Sequence, residues 1–125
     1  MACILIVEDD KNNQRVLNYV LTKAGFLTMS ASNGETALKL LTESVVDLAI
    51  VDFAMPVMNG ITLLKHIRAN EKIKQLPVII LTGSGDDEER VLAEGEGIQG
   101  FLTKPASSRM VLKIVTDVLG QNAES

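Results

Sequence analysis

The sequence has little sulfur chemistry and few aromatic side chains. It contains one cysteine, one tyrosine, three phenylalanines and no tryptophan. A lone cysteine cannot form an internal disulfide, so a small secreted fold held by disulfides is excluded. We expect Cys3, which begins an apolar run, to be a small core residue. The scarcity of rings implies an aliphatic core.

Runs of positive charge and long hydrophobic stretches are also missing. The 12 basic and 16 acidic residues give a net charge of -4, and no segment rich in lysine or arginine occurs. This balance argues against direct nucleic-acid binding and favours cations as ligands. The apolar stretch near the start is too short for a secretion signal or a membrane span. The chain is therefore expected to be cytoplasmic, with no membrane partner.

What is present is the composition of an ordinary globular chain. Its 125 residues are 46% apolar and 22% charged, which predicts one compact domain over residues 1–125. Three apolar runs, Cys3–Val7, Leu48–Val51 and Val78–Leu81, lack the alternation of half-exposed strands. They are typical of strands covered on both faces. Weaker strand candidates lie at 27–31 and 100–102.

The segments between these strands have helical periodicity. Gly25 is placed to end the first helix, and the pairs Asn33-Gly34 and Asn59-Gly60 predict turns before the second and third helices. Strands and helices thus alternate five times. This order predicts right-handed crossovers and a parallel sheet between two layers of helices.

Acidic residues follow two of the strands. The first strand runs into Glu8, Asp9 and Asp10, and the third ends in Asp52. If these strands are neighbours, their carboxylates converge, and two charges about 4 Å apart repel by roughly 4 kcal/mol at an effective dielectric constant near 20. The group needs a cation, and oxygen ligands alone suit Mg²⁺. Zinc is disfavoured because no histidine or cysteine joins the group.

The remaining strand ends carry groups suited to phosphate. Thr82 ends the fourth strand, and Lys104, followed by Pro105, comes after the fifth. Each residue alone has an ordinary interpretation: Asp52 as a helix cap, Thr82 as a turn residue and Lys104 as a solvated side chain. Together, a carboxylate, a metal seat, a hydroxyl and an ammonium are the parts that stabilise a transferring phosphoryl group.

At this point the chain resembles the receiver domain of two-component response regulators. The motifs ILIVEDD, LAIVDFAMPVMNG, VIILTGSG and GFLTKP stand in that family's order and at its spacing. The likeness covers essentially the whole chain. It implies a flavodoxin-like (βα)5 three-layer sandwich, with a five-stranded parallel sheet of order 2-1-3-4-5.

The resemblance assigns a role to each strand-end residue. Asp52 is implied as the phosphoacceptor, and Thr82 and Lys104 would contact the phosphoryl oxygens. Mg²⁺ would be held by Asp9 directly, by Glu8 through water, by Asp52 and by the backbone carbonyl of Ala54. Asp10 matches a position that is not a ligand. The Lys104-Pro105 peptide is implied to be cis.

The implied function is that of a signalling domain rather than a turnover enzyme. A histidine kinase or a histidine phosphotransfer protein would donate a phosphoryl group to Asp52, and the domain would promote its own phosphorylation and dephosphorylation. Thr82 and Phe101 would then switch, which alters the surface of the fourth helix, fifth strand and fifth helix for a downstream effector. Formation of a weak homodimer is a further possibility that the sequence leaves open, although Ala106 and Ile114 depart from the pattern of one dimer-forming subfamily.

Two small residues depart from many relatives near the phosphoacceptor. Ala54 stands where many relatives carry a larger polar side chain, and it cannot shield a phosphoryl group or orient water. Ser84, two residues after Thr82, is also small. We therefore predict that this open rim sets the lifetime of the phosphorylated state. Pro56 is expected to shape the same loop.

Three rival functions share parts of this chemistry. A Mg²⁺-dependent phosphatase with an aspartyl nucleophile is disfavoured because its second acid would fall at Ala54. A flavin or nucleotide carrier would need a phosphate-binding loop after the first strand, where this chain has EDDKNN. A degenerate receiver that acts as an unphosphorylated binding module would have lost Asp52, Thr82 or Lys104, and all three are present.

Overall fold

The computed structural model describes residues 2–55, 58–83 and 87–123. Within them, five strands alternate with five helices. In chain order they are β1 (Cys3–Val7), α1 (Lys11–Lys23), β2 (Leu27–Ala31), α2 (Gly34–Glu43), β3 (Leu48–Asp52), α3 (Gly60–Ala69), β4 (Val78–Thr82), α4 (Asp87–Glu96), β5 (Gly100–Thr103) and α5 (Ser108–Ala123).

All strands are parallel and lie in the order β2-β1-β3-β4-β5. The predicted flavodoxin-like topology is confirmed. Val7 pairs with Val51, and Asp52 pairs with Leu81. Since the strands run in one direction, their carboxyl ends meet at one edge, and the order reverses between β1 and β3 at that edge. Ligand sites of open parallel sheets form at such a switch point.

The apolar strands are buried on both faces, as their composition predicts. Every residue of β3 and β4 is buried. One face packs against α1 and α5 through side chains that include Leu17 and Val115. The other packs against α2, α3 and α4 through Leu64, Ala93 and similar residues. Alternate strand residues supply each core, which explains why the runs contain no polar alternation.

Helix ends follow the predicted turn chemistry. The side chains of Asn33 and Asn59 accept hydrogen bonds from Thr36 N at 2.8 Å and Thr62 N at 2.9 Å, so each caps the helix it precedes. Gly25 follows α1 with a φ of 101°, a conformation that favours glycine after a helix. The Asn-Gly and Gly signals in the sequence therefore mark real boundaries.

Arg68 makes a set of contacts that the sequence does not reveal. Its guanidinium donates to the carbonyl of Gly97 at 2.7 and 3.0 Å, to those of Leu76 at 2.7 Å and Lys74 at 2.9 Å, and to Gln99 Oε1 at 3.1 Å. One side chain of α3 thus links the loop before β4 to the loop that follows α4. The C-terminal end of α4 is anchored at the edge of the sheet opposite the acidic residues.

Cys3 departs from expectation in one respect. It is a free thiol, but it is only partly buried, since it is the first residue of β1 and lies at the edge of the core. Burial and the charge of Asp47 raise the pKa of this thiol. In the part of the chain that the structure describes, no helix has the length and apolar character to span a bilayer.

Candidate functional site

The carboxyl edge of the sheet brings the predicted site residues together. Asp52 is the last residue of β3 and Thr82 the last of β4, while Glu8 and Asp9 follow β1 directly. Lys104 follows β5, and its backbone N–H donates to the carbonyl of Thr82 at 2.6 Å. Five residues from four separate parts of the chain therefore lie at the same end of the sheet, where its strand order reverses.

Three carboxylates form a compact cluster at this edge. Glu8, Asp9 and Asp52 each offer an oxygen, and these oxygens lie within 4.8 Å of one another. Glu8 and Asp52 are only 1% and 3% exposed, whereas Asp9 is exposed. Water therefore screens the repulsion between Glu8 and Asp52 weakly. The cluster requires a positive charge to keep its acids ionised.

Lys104 supplies one positive charge to the cluster. Its Nζ lies 3.0 Å from Glu8 Oε2 and 3.3 Å from Asp52 Oδ2. Burial lowers the pKa of Lys104, but its contacts with Glu8 and Asp52 outweigh burial, and the pKa is raised above its usual value. The ammonium is therefore held charged between the two buried acids. The Lys104-Pro105 peptide is cis, as the family resemblance implies.

One ammonium does not fully compensate the acids. Burial, and next the negative charge of Glu8, raise the pKa of Asp52 from 3.8 to about 7, although Lys104 opposes the rise. In the metal-free protein, the ionised form of Asp52 is therefore unfavourable near neutral pH. A further cation beside it would favour its ionised, nucleophilic form.

The donor set fits a divalent cation that prefers oxygen. All three clustered ligands are carboxylates, which suits Mg²⁺ rather than zinc. Glu8 Oε2 is buried, and the ammonium of Lys104 lies 3.0 Å from it. A buried carboxylate oxygen with spare lone pairs can serve an ion or its bound water. Ala54 lies next to the cluster, and its N–H is 3.4 Å from Asp52 Oδ1.

Two residues support the cluster without belonging to it. Asp10 accepts from the backbone N–H groups of Asn12 and Asn13 at 2.8 and 3.2 Å, which makes it the N-cap of α1. This structural role agrees with leaving Asp10 out of the predicted ligands. Gln14 donates from Nε2 to the carbonyl of Glu8 at 3.0 Å and thereby braces the end of β1. Sequence reasoning missed Gln14, since a glutamine in the first turn of a helix carries no signal.

The predicted switch residues lie on adjacent strands. Phe101 in β5 pairs with Ile80 of β4. Its ring is partly buried against the core beneath α3 and α4. The guanidinium carbon of Arg90 lies 5.5 Å from the centre of the Phe101 ring, and Arg90 is held by Glu94 at 2.7 Å. The sequence did not indicate this contact. Phe101 is therefore covered by a cation from α4.

Parts of the predicted rim lie outside the described residues. Pro56 and Ser84 fall in the two internal gaps, so their predicted roles stay predictions. Ala54 is described and is exposed at the rim.

Comparison with known proteins gives a consistent result. The family model described as "Response regulator receiver domain" matches residues 4–116. The chain is 40% identical over 103 residues to the chemotaxis protein CheY-3 of Vibrio cholerae, covering 82% of this chain and 79% of that protein.

Solved structures agree with the sequence comparison. Chemotaxis protein CheY4 of Vibrio cholerae superposes with a TM-score of 0.90 at 30% identity, covering 94% of this chain and 98% of that one. The receiver domain of a Pseudomonas aeruginosa sensor histidine kinase, described with a magnesium ion coordinated in its active-site cleft, superposes with a TM-score of 0.88 at 27% identity, covering 95% and 98%.

Proposed function

The chain belongs to the response regulator receiver domain family and is a phosphoacceptor signalling domain, and from that premise we propose that Asp52 is its phosphoacceptor in a Mg²⁺-dependent reaction. The domain promotes its own phosphorylation and dephosphorylation and is not a turnover enzyme. Thr82 and Lys104 contact the phosphoryl oxygens. Glu8, Asp9, Asp52 and the backbone carbonyl of Ala54 hold the ion.

One observation carries this proposal. Asp52 Oδ2 lies 3.3 Å from the ammonium of Lys104, inside a cluster of three carboxylates whose oxygens are within 4.8 Å of one another. A buried carboxylate is ordinarily paired with enough positive charge to balance its own, whereas Asp52 has more negative than positive charge around it. An arrangement of that kind is stable when further positive charge and phosphate oxygens complete it.

The chemistry follows from the charges of these groups. A carboxylate oxygen of Asp52 attacks phosphorus, a new P–O bond forms, and the P–N bond of a phosphohistidine donor breaks. The electron pair leaves with the imidazole, which then takes up a proton. Lys104 is placed to neutralise charge on the equatorial oxygens during transfer. When bound, Mg²⁺ supplies the remaining positive charge and offsets the repulsion between the carboxylates and the incoming phosphate.

The donor and the output follow from the same assignment. Receiver domains of this family exchange phosphoryl groups with histidine kinases or histidine phosphotransfer proteins, and we infer such a donor for Asp52. Thr82 and Phe101 then convey the change to the surface formed by α4, β5 and α5, where an effector protein binds. A degenerate receiver is not favoured because Asp52, Thr82 and Lys104 all lie at the same edge of the sheet.

The test is to incubate the protein with Mg²⁺ and a small acyl phosphate and to measure its intact mass. The wild type is expected to gain one phosphate, and Asp52→Asn to gain none. Lys104→Met is expected to be modified at least about tenfold more slowly, because the charge beside the phosphoryl oxygens is lost. Chelation of the metal should have a similar effect on the wild type.

Asp117→Asn is the matched control. Asp117 is an exposed acid on α5 that pairs only with Lys113, at 3.1 Å, among the contacts that the described residues show. This variant should gain phosphate like the wild type. A phosphate that appears on the Asp52→Asn protein to the same extent would show that the acceptor lies elsewhere.

A further inference from the structure

Two helices begin with the same pair of residues. Asn33-Gly34 starts α2 and Asn59-Gly60 starts α3, and in both cases the asparagine side chain caps the helix and the glycine is its first residue. Both glycines are buried. Neither has a φ in the left-handed region, so neither is required by its backbone conformation. Space around the α-carbon is the remaining reason for glycine at both positions.

The surroundings of the two glycines differ. A Cβ atom added to Gly34 would meet only side-chain atoms of Met58, at 2.6 Å from Sδ, 2.8 Å from Cγ and 2.9 Å from Cβ. The thioether end can turn aside, and Cβ has to shift by a few tenths of an ångström. A Cβ atom added to Gly60 would lie 2.6 Å from the carbonyl oxygen of Asp52 and 2.9 Å from Cα of Phe53. Those atoms are backbone. They can move only if β3 or α3 moves.

Gly60 is also bonded to the segment that it touches. Its N–H donates to the carbonyl of Phe53 at 2.8 Å, which closes the loop between β3 and α3. The N-terminus of α3 therefore rests directly on the peptide that joins Asp52 to Phe53. The same short segment carries the Asp52 carboxylate and leads to Ala54, whose N–H is 3.4 Å from Asp52 Oδ1.

We propose that Gly60 is a positioning residue for phosphoryl transfer, which sets the place of the Asp52 carboxylate and of the Ala54 backbone by letting α3 seat on the Asp52–Phe53 peptide. This inference rests on the proposed function of Asp52. Gly60 is not itself one of the proposed ligands or phosphoryl contacts. Any side chain at position 60 displaces the backbone that holds two of the four proposed ligands, so the metal site and the nucleophile are misplaced together.

The test compares Gly60→Ala with Gly34→Ala. Both variants add one methyl group at the first residue of a capped helix, and only the first presses that group against the backbone of Asp52 and Phe53. Each is made in a background that carries Gly95→Ala and Gly120→Ala, because these helical glycines have nothing within 4 Å of an added Cβ and alanine there favours folding. Circular dichroism confirms the fold.

Three quantities are then measured on the folded proteins. They are the Mg²⁺ affinity by calorimetry, the rate of phosphorylation by a small acyl phosphate, and the amide NMR shifts of residues 52–54. We expect Gly60→Ala to bind Mg²⁺ at least about tenfold more weakly and to be phosphorylated about 10- to 100-fold more slowly, with shifted amides at 52–54. Gly34→Ala should stay within about twofold of its background, a change too small to indicate a misplaced ligand.

Each other outcome contradicts the inference or its premise. A folded Gly60→Ala protein with background affinity and rate refutes positioning. Equal losses of Mg²⁺ affinity and phosphorylation rate in both variants would indicate a general destabilisation of the fold. If Gly60→Ala stays unfolded while Gly34→Ala folds, glycine at position 60 is required for folding rather than for positioning. A background protein that binds Mg²⁺ but gains no phosphate refutes the proposed function separately.

Discussion

Replacing Asp52 with asparagine is expected to stabilise the metal-free protein at neutral and higher pH. The carboxylate is buried beside Glu8, and its pKa is raised from 3.8 to about 7. A pKa shift of one unit corresponds to about 1.4 kcal/mol. Keeping Asp52 ionised therefore lowers the unfolding free energy by up to about 4 kcal/mol. Asparagine has nearly the same shape and no charge. Lys104 keeps Glu8 as a partner at 3.0 Å.

The direction of the pH dependence follows from the raised pKa. Between about pH 4 and pH 7 the folded protein retains the proton on Asp52, whereas the unfolded chain has lost it. The stability that this group contributes is therefore fully present below about pH 4 and is lost as pH rises to about 7. We expect the variant to be more stable than the wild type by about 2–4 kcal/mol at pH 8, and nearly equal to it at pH 4.

The assay is urea unfolding at several pH values, followed by far-ultraviolet circular dichroism because the chain contains no tryptophan. Chelator is present in one series and saturating Mg²⁺ in a second. Ligand that binds only the folded state stabilises it. Mg²⁺ should raise the unfolding free energy of the wild type more than that of Asp52→Asn, which reduces the difference between them at pH 8.

An unfolding free energy of Asp52→Asn that equals or falls below that of the wild type at pH 8 in chelator would refute the electrostatic reasoning. So would a difference that is constant from pH 4 to pH 8. Asp117→Asn serves again as the control, since Asp117 is exposed and removal of its charge should change stability by less than about 0.5 kcal/mol at any of these pH values.

Three further substitutions test other features. Ala54→Leu should cover the rim beside the acceptor and slow loss of phosphate from the isolated phosphoprotein by about tenfold; an unchanged lifetime would reject the open rim as its determinant. Arg90→Met removes the cation over Phe101 and should lower the unfolding free energy by about 0.5–1 kcal/mol and shift the ring protons of Phe101 in NMR spectra, and unshifted resonances would contradict the contact. Arg68→Met removes the hydrogen bonds to Gly97 and to the loop before β4, so unfolding in urea should require about 2–3 kcal/mol less, with faster amide exchange at the end of α4; a loss below about 0.5 kcal/mol would contradict that anchoring role.

Much of the fold was predictable because it depends on local patterns. The apolar runs at Cys3–Val7 and Val78–Leu81 lack polar alternation, which is typical of strands buried on both faces. Gly25 and the two Asn-Gly pairs marked helix boundaries through turn chemistry that acts within a few residues. Contacts between distant elements left no such mark. Nothing near Arg68 or Gln14 in the chain announces the carbonyl groups that these side chains reach.

The site was predictable in part for a different reason. Parallel strands bring their carboxyl ends to one edge, so Asp9, Asp52, Thr82 and Lys104 could be grouped from their positions after predicted strands. Burial could not be predicted to the same degree. That Glu8 and Asp52 are almost fully enclosed while Asp9 is exposed depends on how the loops cover the edge.

The sequence by itself determined the order of strands and helices, the apolar faces of the sheet and the set of charged groups at its carboxyl edge, since each depends on side-chain type and on spacing along the chain. Only the tertiary structure decided which charged groups interact and which atoms are in contact. Lys104 between two buried acids joins segments far apart in sequence, while Arg90 over Phe101 and Gly60 against the Asp52 carbonyl join consecutive elements of the fold. Coulomb energy and steric repulsion depend on distances through space, and those exist only once the chain has folded.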